Sequence, residues 1–292
     1  MSPAVLLSIY CLAIFVFAAL GGLLPFLFRL THVWLQIVMS FVGGAMLGVG
    51  LLSLFPHAFY ECDRAIYPPV VWLLAGFLLM FFVERVFHFH HHDAPPDADA
   101  LNHEHDHSGH SHAHHDKPRR ITWGAALVGL ALHSMVDGMT LTASVVATSS
   151  QGVAERLAGF AVFLVILFHK PFDSLTLGTL MLVGGQSAKA RHLVNLLYAL
   201  AVPTGACLAY LGVQYEAAGG HHVLGPLLAL AAGTFVCIAT SDLLPELQFH
   251  SHDRLKLSAA LLAGILLAGG MVWLEESGHS HDEAGHSHHE RP

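Results

Sequence analysis

Eight long apolar segments constrain this 292-residue chain more than any other feature. Each holds about 20 mostly apolar residues or more, the length that crosses the hydrocarbon core of a bilayer as a helix. They cover residues 4–28, 34–57, 69–87, 121–148, 154–183, 192–214, 222–247 and 255–274. A backbone in lipid must be helical or closed into a barrel, and runs of this length without period-2 alternation exclude the barrel. The segments therefore predict an all-α polytopic membrane protein, a bundle of eight transmembrane helices.

Composition agrees with this interpretation. Apolar residues make up 54% of the chain, charged residues only 12%, and the mean hydropathy is +0.57. These values are typical of a protein surrounded by lipid. The first segment lacks a basic n-region and a small-residue cleavage site, so we interpret it as a retained span. The formal net charge of −8 argues against a nucleic-acid partner.

The distribution of Lys and Arg predicts how the bundle is oriented. Sorting the connections alternately places three basic residues on one side, Arg64, Arg156 and Arg291. The other side holds nine: Arg29, Arg85, Lys117, Arg119, Arg120, Lys189, Arg191, Arg254 and Lys256. Because cytoplasmic connections carry the excess of Lys and Arg, we expect both termini outside a cell membrane, inner or plasma.

Two histidine-rich stretches divide the chain. Residues 1–87 hold the first three helices, 88–120 a cytoplasmic loop, 121–274 the last five helices and 275–292 an external tail. The loop is expected to be disordered, because it has few apolar residues to bury. Closely spaced imidazoles suit weak, exchangeable metal binding, and solvated low-complexity chain is the alternative. The candidate auxiliary ligands are His103, His105, His107, His110, His112, His114, His115, His279, His281, His286, His288 and His289.

Two short motifs, HSMVDG at 133–138 and HKPFDS at 169–174, place His-x-x-x-Asp inside apolar segments. On a helix, His133 and Asp137 lie on one face one turn apart, as do His169 and Asp173. Ionisable groups at membrane depth cost several kcal/mol unless they are paired or hydrated. One site for a divalent metal ion explains both pairs, and His–Asp hydrogen bonds that hold the helices together are the alternative.

Other residues of the apolar segments are less specific candidates. The thioether of Met46 could join a soft or borderline ion, and packing is the alternative. His57, at the end of the second segment, is either interfacial or part of a release path. Asp242 and Glu246 in TSDLLPEL are four residues apart, and they are either waypoints on a release path or a solvated helix end.

These motifs resemble those of the ZIP (Zrt/Irt-like) family of divalent-metal transporters. The resemblance rests on HSMVDG, HKPFDS, FVGGAMLGVGLLSLFPHAF in the second segment and SDLLPE in the seventh. It extends over the whole chain, and it implies uptake of Zn²⁺ or a related ion into the cytoplasm. Position by position, it implies metal ligation by His133, Ser134, Asp137, His169, Asp173 and Met46.

Lys170 departs from the commoner pattern of this family. It stands where many members carry an acid for a second metal ion, and Val202 stands where some carry a glutamate. The HS and HK motifs resemble a subgroup with one metal site instead of two. We therefore expect Lys170 to replace the second ion, its ammonium offsetting the repulsion between carboxylates. Snorkelling of this ammonium to an interface is the alternative.

Two other functions share parts of the pattern. A cation diffusion facilitator would export metal and also carries His-x-x-x-Asp pairs, but that family has six spans and a soluble C-terminal domain. An intramembrane zinc hydrolase needs three protein ligands and an open position for water, whereas only His133 and His169 are deep in the segments. The sequence thus predicts a non-enzymatic permease without a cofactor. Its substrate is Zn²⁺ or else Fe²⁺, Mn²⁺, Cd²⁺ or Co²⁺, and a homodimer is one candidate assembly.

Overall fold

The computed structural model describes residues 2–22, 32–87, 123–150, 158–217, 219, 222–249 and 254–277. Within these ranges, eight helical spans are long and apolar enough to cross a membrane, which confirms the predicted bundle. The first, third, fourth and fifth spans are Pro3–Gly21, Tyr67–Phe87, Trp123–Ser150 and Phe160–Val183. The seventh and eighth are Leu224–Phe249 and Arg254–Ser277. The second and sixth are made of shorter pieces, namely His32–Val49, Gly50–Leu54 and Phe55–Glu61, and Ala188–Tyr198 and Ala201–Ala217.

The predicted boundaries agree closely with these helices. The sixth span begins at Ala188 instead of residue 192, and the eighth continues to Ser277, into the stretch predicted as tail. The predicted end of the first span and the predicted start of the fifth fall outside the described residues. The side of the membrane on which the termini lie stays a prediction.

The spans divide into an inner and an outer set. In the second, fourth, fifth and seventh spans, 50–67% of the residues in the most apolar 18-residue stretch are buried inside the bundle. In the other four spans this share is 17–33%. The outer spans carry most of the exposed large apolar side chains, which suits contact with lipid. The two His-x-x-x-Asp motifs therefore lie on inner spans.

Glycines allow the spans to pack closely. The main contacts join the first span with the fifth, the second with the eighth, the third with the seventh and the fourth with the sixth. A Cβ on Gly205 of the sixth span would lie 2.0 Å from the Met135 carbonyl oxygen, and one on Gly138 would lie 2.0 Å from the Val202 carbonyl oxygen. A Cβ on Gly44 would lie 2.1 Å from the backbone of the eighth span. Such close approach of two backbones requires glycine at the crossing.

Two spans change their helical geometry shortly before a proline. In the second span, Gly50–Leu54 form a π-helical turn ahead of Pro56. In the sixth, one helix ends at Tyr198 and the next begins at Ala201, ahead of Pro203. Proline has no N–H to continue the ladder of helical hydrogen bonds, so the backbone rearranges locally. The break in the sixth span places Tyr198 at a helix end within the bundle.

Candidate metal centre

The fourth and fifth spans bring the two His-x-x-x-Asp pairs together. One donor atom from each of His133, Asp137, His169 and Asp173 lies within 4.8 Å of all the others. Nε2 of His133 lies 3.3 Å, and Nε2 of His169 3.2 Å, from the same oxygen, Oδ2 of Asp137. His133 Nε2 also lies 3.6 Å from Asp173 Oδ2. We call these four residues the His–Asp quartet.

The quartet is shielded by the surrounding spans. His133, Asp137 and His169 are buried, whereas the side chain of Asp173 is 17% exposed. Asp137 Oδ1 is buried and has no hydrogen-bond partner in the described part of the chain. Buried carboxylate oxygens are normally satisfied by a donor or by a cation. This oxygen can therefore accept a further donor or a cation.

The ring of His169 is oriented for ligation. Its Nδ1 lies 2.9 Å from the carbonyl oxygen of Val165, one turn earlier in the same helix. When Nδ1–H donates to this carbonyl, Nε2 keeps its lone pair and faces Asp137. Metal-ligating histidines commonly have this kind of support from a backbone carbonyl.

The donor set suits a divalent ion of the zinc type. Two imidazole nitrogens and two carboxylates are ligands that Zn²⁺ takes up, at bond lengths of about 2.0–2.2 Å. Ligand atoms at the corners of such a tetrahedron lie about 3.3–3.6 Å apart. Three separations between quartet atoms, 3.2, 3.3 and 3.6 Å, are close to this spacing. The ligand types and these three separations are compatible with one zinc ion.

Lys170 reaches into the quartet from the fifth span. Its Nζ lies 2.5 Å from Asp137 Oδ2 and 2.7 Å from Asp173 Oδ2, and it donates to Ser134 Oγ at 3.0 Å. The residue is 1% exposed. The alternative that its ammonium snorkels to an interface is therefore wrong, because the side chain points into the bundle and pairs with both carboxylates.

Tyr198 completes the site and was not expected from the sequence. Its hydroxyl donates to Asp173 Oδ2 at 3.2 Å and accepts from Ser134 Oγ at 2.7 Å. It comes from the sixth span, 64 residues from Ser134 along the chain. The only sequence signal is a tyrosine in an apolar segment shortly before Pro203, where a hydroxyl needs a buried partner.

Comparison with known proteins decides the family. A family model described as ZIP Zinc transporter matches residues 5–272. The chain belongs to the ZIP family. The match reaches all eight spans and includes both motifs of the quartet. Membership of the subgroup with HS and HK motifs stays a prediction.

Several ZIP proteins are similar to the chain. Zinc transporter ZIP9-B of Xenopus laevis is 31% identical over 132 residues, which are 44% of this chain and 42% of that protein. Zinc transporter ZIP1 of Homo sapiens is 26% identical over 266 residues, 82% of this chain and 79% of that protein. Metal cation symporter ZIP14 of Xenopus tropicalis is 29% identical over 142 residues, 48% of this chain and 28% of that protein. The chain thus spans less than half the length of the Xenopus ZIP9 proteins that it matches.

Two further predicted ligands of this ZIP chain lie in buried positions. Met46 is 2% exposed and belongs to the apolar core around the second span. Ser134 is 1% exposed, and its hydroxyl is bonded to Lys170 and Tyr198. Their roles as metal ligands stay predictions.

The residues predicted for a release path do not lie at one end of the bundle. His57 is half-buried near the end of the second span, with Nδ1 2.7 Å from the Ser53 carbonyl oxygen. The end of this span meets the start of the seventh, where a Cβ on Gly225 would lie 3.3 Å from Glu61. Asp242 follows 17 residues after Gly225 in the same helix, about 26 Å away by helical rise. His57 and Asp242 thus lie near opposite ends of their spans, and a release path through these residues stays a prediction.

Some predicted residues are beyond what the structure describes. Asp242 and Glu246 belong to the helix of the seventh span, but their side chains fall outside the described residues. The histidines of the loop and of the tail, within 88–120 and 278–292, also lie outside them. Auxiliary metal binding by these tracts stays a prediction.

Proposed function

We propose that this chain transports divalent metal ions, with uptake of zinc into the cytoplasm as its main activity, and that the His–Asp quartet is the transport site. One observation carries the proposal: two imidazoles and two carboxylates converge inside the membrane bundle of a ZIP protein. Such groups are costly at this depth unless they serve a ligand or a pathway.

The mixed ligand set supports transport over permanent storage of a metal ion. A transport site must bind strongly enough to replace the hydration shell and weakly enough to release the ion. Imidazole and carboxylate ligands next to a partly exposed Asp173 meet both needs better than a closed thiolate cage. Fe²⁺, Mn²⁺, Cd²⁺ and Co²⁺ remain candidate substrates, because the same donors accept them.

One ion for each chain follows from Lys170. Its ammonium contacts both carboxylates of the quartet, where a second cation would have to bind. Val202, in the sixth span, offers no ligand atom in its side chain and is 1% exposed. Lys170 therefore supplies the positive charge that a second metal ion would otherwise provide.

The direction of transport is supported by charge distribution. Nine Lys and Arg residues on one side and three on the other predict termini outside and the His-rich loop inside. ZIP9-B and ZIP1 are named as zinc transporters, and this chain is proposed to share that activity. Catalysis is not part of the proposal, since the quartet supplies two histidines where a zinc hydrolase commonly uses three.

Zinc flux into proteoliposomes tests the proposal. Replacing a quartet residue by alanine should lower zinc uptake at least about tenfold, because even a supporting residue of a metal site costs that much. The variants are His133→Ala, Asp137→Ala, His169→Ala and Asp173→Ala. His192→Ala and Asp63→Ala, at exposed positions outside the quartet, are matched controls that should keep wild-type uptake.

Bound zinc tests the stoichiometry. The zinc bound by the wild type in excess of that bound by Asp137→Ala reports the intramembrane site, because the His tracts are identical in both proteins. One additional ion for each chain is expected. Two additional ions would contradict the role of Lys170, and unchanged uptake in the quartet variants would contradict the transport site itself.

A further inference from the structure

Asp173 of the quartet and three polar groups beside it form a closed ring of hydrogen bonds. Lys170 Nζ donates to Ser134 Oγ at 3.0 Å, and Ser134 Oγ donates to the Tyr198 hydroxyl at 2.7 Å. The Tyr198 hydroxyl donates to Asp173 Oδ2 at 3.2 Å, and Lys170 Nζ donates to the same oxygen at 2.7 Å. Residues from the fourth, fifth and sixth spans thus take part in one network that ends on a single carboxylate oxygen.

This oxygen is also the one that faces the metal site. Asp173 Oδ2 lies 3.6 Å from Nε2 of His133, a distance that suits two ligands of one ion. It already accepts hydrogen bonds from Tyr198 and Lys170. An ion that binds through Asp173 Oδ2 must therefore compete with both donors.

Tyr198 is well placed to act as such a competitor. It is 3% exposed, so its hydroxyl is shielded from water and depends on protein partners. It is also the last residue of its helix, directly before the break of the sixth span at Ala199 and Leu200. Its hydroxyl can therefore leave Asp173 through a local change at the break, without displacing a continuous helix.

We propose that Tyr198 competes with the transported cation for Asp173 and thereby weakens metal binding enough to permit release. The inference rests on the proposed function of the quartet. It assigns to the sixth span a part in setting the affinity of a site whose ligands come from the fourth and fifth spans. Tyr198 itself is not a metal ligand in this proposal, because its hydroxyl proton is directed at the carboxylate.

The two possible roles of Tyr198 predict opposite changes in zinc affinity when its hydroxyl is removed. A residue that held Asp173 in its metal-binding geometry would strengthen binding, and its removal would weaken it. A residue that occupies the ligand oxygen weakens binding, and its removal strengthens it. A hydrogen bond to a charged group is strong enough that its loss should tighten zinc binding by about tenfold.

Zinc binding by Tyr198→Phe tests the proposal, because phenylalanine keeps the ring and removes the hydroxyl. Isothermal titration of the full-length protein in lipid nanodiscs gives the dissociation constant, with Asp137→Ala subtracted as background for the His tracts. Zinc should bind Tyr198→Phe about tenfold more tightly than it binds the wild type. Tyr215→Phe, an exposed tyrosine of the same span, should bind like the wild type. Unchanged or weaker binding by Tyr198→Phe would overturn the proposal.

A second measurement needs no variant of Tyr198. Zinc bound at the quartet should change the ultraviolet difference absorbance of the wild-type tyrosines, because one hydroxyl loses a carboxylate partner. Asp137→Ala should show no such change. If the wild type binds zinc at the quartet without a tyrosine signal, the role of Tyr198 is wrong while the proposed function survives. If the wild type and Asp137→Ala bind zinc alike, the proposed function fails instead.

Discussion

Lys170 allows two carboxylates to lie side by side in the interior of a membrane bundle. Asp137 and Asp173 both contact the ammonium of this residue, whose side chain is among the largest fully buried ones in the described residues. Two unpaired carboxylates at this depth would repel each other and lose their hydration. The lysine therefore makes the quartet compatible with lipid when no divalent ion is bound.

Replacing Lys170 by methionine should strengthen zinc binding and lower the stability of the zinc-free protein. The variant removes a cation that competes for both carboxylates, so the affinity should rise at least about tenfold. It also leaves two buried carboxylates without their partner, a change that typically costs about 3–5 kcal/mol. Zinc titration and thermal unfolding with and without zinc measure the two effects.

A matched control separates this effect from a general loss of positive charge. Lys189→Met changes the same residue type at an exposed position of the sixth span, and it should behave like the wild type in both measurements. Weaker zinc binding by Lys170→Met would show that the lysine supports the metal site and does not compete with the metal.

The sequence predicts the residues of the quartet but not its complete surroundings. His133 and Asp137 are one helical turn apart, so the periodicity alone places them on one face, and the same holds for His169 and Asp173. Tyr198 meets them only through tertiary packing, since its partner Ser134 is 64 residues away. No local periodicity reports a contact of that kind.

The helical geometry around the prolines differs from span to span, and the sequence does not reveal these differences. Pro171 lies inside the continuous helix Phe160–Val183, whereas Pro56 follows a π-helical turn and Pro203 follows a break. In each case the missing N–H removes one backbone bond. Which rearrangement follows depends on the packing of neighbouring spans, so a sequence pattern can locate the weak point without specifying its geometry.

Two glycines of one helix should respond in opposite ways to alanine. A Cβ on Gly205 would lie 2.0 Å from the Met135 carbonyl oxygen, whereas one on Gly212 would meet nothing within 4 Å. Gly205→Ala should destabilise the protein by about 1–3 kcal/mol or more, because the fourth and sixth spans must move apart. Gly212→Ala should be neutral or stabilising, since alanine favours the helix.

Thermal unfolding of the two variants in the same detergent makes this comparison. Because Met135 directly follows Ser134, Gly205→Ala should also reduce zinc uptake at equal protein levels, whereas Gly212→Ala should not. Equal stability of both variants would mean that the crossing between the fourth and sixth spans is looser than the structure indicates.

The eight spans were predictable from hydropathy, but their partners were not. Most of them are apolar on most sides, so they lack a single amphipathic face that selects a neighbour. Glycines such as Gly138 and Gly233 mark positions of close approach only once the opposite backbone is known. Pairing of the fourth span with the sixth, which brings Tyr198 to the quartet, therefore emerges only in the folded bundle.

The orientation of the whole bundle is open to a direct test. An epitope tag at Pro292 should be labelled by antibody on intact cells, because the distribution of Lys and Arg predicts that both termini lie outside. The same cells should accumulate zinc. A tag that requires permeabilised cells, together with loss of cellular zinc, would instead favour export.

The ion pairs of Lys170 with Asp137 and Asp173 also determine how membrane voltage acts on the carrier. With neutral imidazoles, two carboxylates and one ammonium give the unloaded quartet a formal charge of −1, and one Zn²⁺ changes it to +1. A potential that is negative inside then drives the loaded form inward and the unloaded form outward, at about 2.3 kcal/mol per charge per 100 mV. In Lys170→Met the loaded form becomes neutral. Exchange of zinc for zinc, which uses only the loaded form, should therefore respond to an imposed potassium-diffusion potential in the wild type and lose that response in the variant.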